Sequence, residues 1–152
     1  MIDNEQAVLD ESVKQGKRPK IVWAIFIYSM FGIFSLSLGV LMITGHLPME
    51  ESAKIIFGKL GIFDYFLALA TPIIMFLASL MLFRLKTIAV KLFWINGLIY
   101  VVSQIYYLTI RGYATEYSRG TSGVVMHALG LALIVFLIYY SNKLKDSGIL
   151  KP

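Results

Sequence analysis

Four long apolar runs, separated by short charged connectors, constrain this chain more than anything else in it. They cover residues 21–45, 62–83, 88–110 and 123–141. As helices rising ~1.5 Å per residue, they reach roughly 28 to 38 Å, against a hydrocarbon layer about 30 Å thick. With 152 residues, 58% of them hydrophobic and 15% charged, the chain has too little polar sequence to bury four such segments in a water-soluble fold. The expected fold class is all-α integral membrane: four transmembrane helices in an antiparallel bundle. Residues 21–141 form that domain, flanked by cytoplasmic tails at 1–20 and 142–152. No stretch remains for a separate soluble domain.

The composition excludes several kinds of chemistry. Cysteine is absent, which removes disulfides, thiolate metal sites and cysteine nucleophiles. Two histidines and few acidic residues do not supply a metal cage. No phosphate-binding loop, dinucleotide fingerprint, zincin helix or serine triad pattern occurs. The reading is therefore of a protein that is not an enzyme and holds no cofactor. The net charge of +5 is assigned to membrane topology, not to nucleic acid. The first run follows Lys14, Lys17, Arg18 and Lys20, as a secretory signal would. It outlasts the ~7–15 apolar residues of a signal core and is read as a retained helix.

Alternating spans put ten of the fourteen Lys and Arg residues on one side, in the 1–20 tail, around 84–91 and after 142. The excess marks the cytoplasmic face, so both termini are expected inside the inner (plasma) membrane. Trp23, Trp94, Tyr139 and Tyr140 fall at the inner ends of their spans, and Tyr65, Tyr106, Tyr107 and Tyr113 at the outer ends. Two aromatic belts in this register agree with the charge count. Lys91, one turn into the third span, can snorkel to the inner headgroups.

Local signals refine this plan. A short helix is expected over 5–15, and Pro19 suits the first turn of span one. Ser35 and Gly39, like Ala128 and Ala132, form small-xxx-small pairs that let helix backbones approach closely in lipid. Residues 48–60 are amphipathic and read as an interfacial helix, with Glu50 four residues ahead of Lys54. Pro72 removes a backbone hydrogen bond at mid-span and is a candidate hinge, with Thr71 placed to satisfy the freed carbonyl. The connector 84–87 is short enough to make spans two and three neighbours. After Ser141 the chain turns charged and is expected to fray.

Two sets of polar residues are candidates for function. Asn96, Tyr100, Ser103 and Tyr107 recur at spacings of four, three and four, one stripe of span three. It should face the interior, where Asn96→Leu would leave a partner unpaired. Asp64, Gln104, Tyr107 and His127 share the outer depth of their spans under alternating topology. With His46 and Glu116 of the outer connectors nearby, they could bind a cation or polar headgroup or relay protons. The bland reading is that Asp64 caps span two and His127 bonds a neighbouring helix. The expected role is a structural or accessory subunit that packs with itself or with a larger membrane complex. The alternative is a small oligomeric transporter, channel or ligand-binding protein using the outer polar cluster. The expected partners are the lipid bilayer and a second copy or another membrane protein, with no nucleic acid.

Overall fold

The computed structural model describes residues 18–110 and 121–152. The helix expected over 5–15 and the connector residues Arg111, Tyr113, Glu116 and Arg119 lie outside the described residues. Within them the chain is helical: α1 (Lys20–Ile43), α2 (Glu51–Gly58), α3 (Ile62–Phe83), α4 (Ile88–Thr109) and α5 (Thr121–Asp146). Four of these helices are long and apolar enough to cross a membrane. Helix α2 is the short amphipathic piece, and it lies within the expected 48–60. Its Lys54 pairs at 3.0 Å with Glu51, one turn back, and not with Glu50.

Three helices end in the same way. At the end of α1, Gly45 takes φ +79°, Gly45 N–H donates to Met42 O and His46 N–H to Leu41 O. At the end of α5, Gly148 takes φ +70°, with Gly148 N–H on Lys145 O and Ile149 N–H on Leu144 O. These paired bonds satisfy carbonyls that the helix itself leaves open. The end of α3 repeats the motif around Leu85, at φ +56°. A leucine there costs about 1–2 kcal/mol that a glycine would not. It stands because the Leu85 side chain packs against the hydrophobic core.

Helix α1 packs on α3, α3 on α4 and α4 on α5. The start of α1 meets the end of α3: Arg18 Nε donates to Phe83 O at 2.9 Å, and its guanidinium lies 4.4 Å above the Phe83 ring. Trp23 meets the same ring edge-on and Phe26 stacks on it, each at 4.7 Å. At this connector end the core closes, with Val22, Ala78, Leu82, Ala89, Phe93 and Leu144 almost fully buried.

The C-terminal segment departs from the fraying tail expected after residue 141. Helix α5 continues to Asp146, and the chain then turns back onto the α3–α4 connector. Lys151 N–H donates to Leu85 O at 2.7 Å, and Thr87 N–H donates to Lys151 O at 2.9 Å. Lys86 Nζ donates to Pro152 O at 2.6 Å. Ile149 and Leu150 are buried in the core. Their apolar side chains reward an ordered ending that the surrounding lysines conceal in a reading by charge.

Close approach within the chain occurs elsewhere than at the two small-residue pairs. Ser35, Ala128 and Ala132 are exposed, and a Cβ built at Gly39 meets nothing within 4 Å. Helices α4 and α5 come together at Gly97, where a Cβ would sit 3.1 Å from Ile138 and 3.2 Å from Ile134.

Candidate functional site

The stripe on α4 has Asn96 and Ser103 buried and Tyr100 and Tyr107 half-buried. Ser103 Oγ donates to the Tyr100 carbonyl at 2.7 Å, back along its own helix. The Tyr100 hydroxyl crosses to α5 and donates to the His127 carbonyl at 3.1 Å. Gly130 makes that crossing possible, because a Cβ there would lie 2.6 Å from the Tyr100 oxygen. The sequence offered no cue for this pairing beyond a glycine within one turn of His127.

Asn96 is 3% exposed. Its Nδ2 makes a long contact of 3.8 Å with Met75 Sδ on α3, and its Oδ1 has no hydrogen-bond partner. A thioether sulfur accepts but cannot donate, so the amide nitrogen is the atom that faces it. Leaving a buried amide oxygen unbonded costs on the order of 1–3 kcal/mol. Asn96→Leu therefore removes a cost and strands no partner of consequence, the reverse of what the stripe pattern predicts.

A second polar contact was not foreseen. Ser29 on α1 and Ser79 on α3, both buried, touch through their hydroxyls across the helix pair. The Phe26 and Phe76 carbonyls are the other acceptors in reach. Two hydroxyl protons serve these contacts, one bridging the serines and one going to a carbonyl. Nothing in the sequence singles Ser29 out from Ser35 and Ser37 of the same apolar run.

The outer set is distributed over three helices. Asp64 on α3 is 1% exposed, and its Oδ2 accepts the Gly61 N–H at 2.6 Å, reaching back over the start of its own helix. That bond, with a carboxylate at a helix N-terminus, is a capping role. Tyr107 sits edge-on to Tyr106 at 5.4 Å, and Tyr106 meets Phe63 at 4.8 Å. Gln104 is half-buried on the same helix. His127, half-buried on α5, lends its backbone carbonyl to Tyr100. Helix α3 packs on α1 and α4, whereas α5 packs on α4, so Asp64 and His127 stand on helices whose main neighbour in common is α4. His46 is exposed, with Nδ1 2.9 Å from the Thr44 hydroxyl. Among the described residues, no group of three His, Cys, Asp or Glu is placed to hold a metal ion.

Between the four long helices, at mid-length, lies a cleft of about 280 Å³. Tyr28 and Gly32 of α1, Pro72 and Met75 of α3, Asn96 of α4 and Leu133 of α5 are among its walls. Pro72 has no N–H to give to the Ala68 carbonyl one turn back. The Thr71 hydroxyl does not supply it, since that donates at 3.0 Å to Leu67 O. An apolar cleft, a single unsatisfied amide oxygen and a proline-loosened wall are features of a binding pocket more than of a reaction centre. No protein-family model, curated protein or solved structure matches the chain.

Proposed function

We propose that the chain is a multi-pass integral membrane protein of the inner (plasma) membrane. In this reading it is an antiparallel four-helix bundle with both termini cytoplasmic and α2 lying in the outer interface. It acts without chemistry of its own, as a structural or accessory subunit, by packing with a second copy of itself. The observation that carries the reading is the outward placement of the small-residue faces. Ser35, Ala128 and Ala132 are exposed, and a Cβ at Gly39 would meet open space. In lipid, such faces are where helices of separate chains approach closely.

The test is native mass spectrometry of the full chain released from nanodiscs. A homodimer that Gly39→Ile converts to monomer supports the reading. A heteromeric complex would shift it to the accessory role in a larger assembly, and a wild-type monomer would overturn it. Orientation is tested with cysteines at Ser12, Ser118 and Ser147 and an impermeant thiol reagent on intact cells. Only position 118 should label.

One observation favours a second reading, a small oligomeric transporter, channel or ligand-binding membrane protein. It is the mid-bundle cleft with its unsatisfied Asn96 oxygen. In that reading Pro72 is the hinge, and the outer groups Asp64, Gln104, Tyr107 and His127 line the way in.

A further inference from the structure

We infer that the corner where α1 begins and α3 ends is a binding site for the headgroup of an anionic phospholipid, held between Arg18 and Arg84. The inference rests on the chain being embedded in the bilayer, and it names the lipid that this end of the bundle selects. Arg18 Nε donates to Phe83 O at 2.9 Å, and its guanidinium lies 4.4 Å above the Phe83 ring. These contacts fix the Arg18 side chain against the residue that precedes Arg84, so two arginines meet at one helix end. Both are exposed, and neither is ion-paired among the described residues. Phe83 O is one of the carbonyls that α3 leaves open, and Arg18 caps it. Capping uses the Nε–H alone. The two Nη groups of Arg18 have no partner among the described residues, and neither has the Arg84 guanidinium. Lys20 opens α1, and no acidic residue stands in its first turn. A cation at the positive end of a helix dipole is unfavourable by itself, and an anion beside it offsets that cost.

The chemistry of the corner selects its ligand. A phosphodiester matches the planar fork of a guanidinium through two parallel hydrogen bonds. Clustered cations also favour a headgroup that carries no cation of its own. Phosphatidylglycerol meets that condition, whereas the choline of a zwitterionic lipid brings a positive group toward Arg18, Lys20 and Arg84. Beside the charges lies an open apolar flank. Trp23 and Arg18 both rest on the Phe83 ring, which sets the indole next to the guanidinium. From Trp23 the stripe runs on through Ile27 and Phe31, and the three residues are 48%, 51% and 68% exposed. Side chains four apart share a helix face, so an acyl chain attached to the bound phosphate lies along this stripe. A water-soluble phosphate has nothing to set against it, which commits the corner to a lipid.

The experiment uses the full chain in nanodiscs of phosphatidylcholine and phosphatidylglycerol, in equal amounts and with matched acyl chains. Native mass spectrometry reads the lipids that stay bound. The expected result is retention of phosphatidylglycerol over phosphatidylcholine by roughly five- to twentyfold. The double variant Arg18→Gln, Arg84→Gln should erase that preference. The control, Lys91→Gln with Lys145→Gln, removes the same charge from exposed positions at the same end of the bundle and should keep it. Equal loss in the two double variants, or no preference in the wild type, overturns the site and leaves only a diffuse basic surface. Each variant is checked for the wild-type helical spectrum and elution volume. If loss of the Arg18 cap prevents folding, Arg84→Gln alone decides the matter, because it leaves the Phe83 contacts in place. It should lower the preference roughly two- to fivefold, and an unchanged preference overturns the site. Excess free glycerol phosphate should not displace the bound lipid; displacement overturns the lipid assignment in favour of a soluble phosphate. Release of the chain from membranes by alkaline carbonate overturns the bilayer reading, and the site with it, and is distinguishable because it is scored before any lipid is weighed.

Discussion

The two ends of the bundle are built differently. At the connector end, residues from α1, α3, α4, α5 and the C-terminal segment bury Val22, Leu82, Phe93, Leu144 and Leu150 in one cluster. Toward the other end, α1 has no buried residue beyond Ser29, and Phe34, Phe66 and Ile105 are exposed. The contacts there include aromatic edges, Phe63 on Tyr106 and Tyr106 on Tyr107, beside buried Asp64 and Leu67. In a bilayer the hydrophobic effect does not press helices together, since lipid is as apolar as leucine. Tight packing then has to be assembled from close approach and satisfied backbone groups. The connector end has both.

That contrast can be broken by substitution. The largest effect is expected at Phe93, which is 1% exposed. Phe93→Ala should cost about 3 kcal/mol in reversible unfolding in mixed micelles. Phe66→Ala, at a residue 60% exposed, should cost almost nothing. Comparable losses at both sites would mean that the two ends are equally packed.

The next effect tests whether the C-terminal segment belongs to the core. Leu150→Ala should cost about 2 kcal/mol and speed amide hydrogen exchange at Thr87, whose N–H is held by Lys151 O. Unchanged exchange at Thr87 would detach the segment from the packed end.

A smaller loss is expected at the α4–α5 contact. Gly130→Ala places a methyl group where the Tyr100 oxygen now lies, at 2.6 Å. The ring must move and its bond to His127 O must stretch or break, costing about 1 kcal/mol. Tyr100→Phe in the Gly130→Ala background should then add little, because the bond is already lost.

The smallest effect has the opposite sign. Asn96→Leu should leave stability unchanged or raise it by up to about 1 kcal/mol, as an orphaned oxygen is removed. A loss of more than 1 kcal/mol would reveal a partner for that oxygen and would remove the reason to seek a ligand.

Helix existence and approximate length were legible from hydropathy, because a run of some twenty apolar residues has few alternatives. Residues 62–83 are bounded by Gly61 and by Arg84, and the span read from sequence and the observed helix coincide. The end of α5 was not legible. Charge alone marks 142–146 as polar, but helical turns carry lysines easily, and Leu144 keeps one face buried. Nor was helix rotation, which pairs Tyr100 with the His127 backbone and Ser29 with Ser79. Rotation depends on which side chains fit between backbones, and Gly130 and Gly97 decide that through the absence of a Cβ. The small-xxx-small pairs leave the partner open for a related reason: the pattern identifies a face that can be approached closely, not the helix that approaches it. For the same reason the depth shared by Asp64 and His127 did not by itself define a site.

The segment folded over the α3–α4 connector also sets a timetable. Leu85 and Thr87 are synthesised well ahead of Lys151, whose backbone groups hold them. At ~5–20 residues per second, the connector waits several seconds after leaving the ribosome before its partner exists. During that interval its strained Leu85 turn and the inward faces of α3 and α4 lack their lid. A nascent chain stalled anywhere in α5 would therefore carry an unfinished surface, because the segment that holds Leu85 and Thr87 would not yet exist.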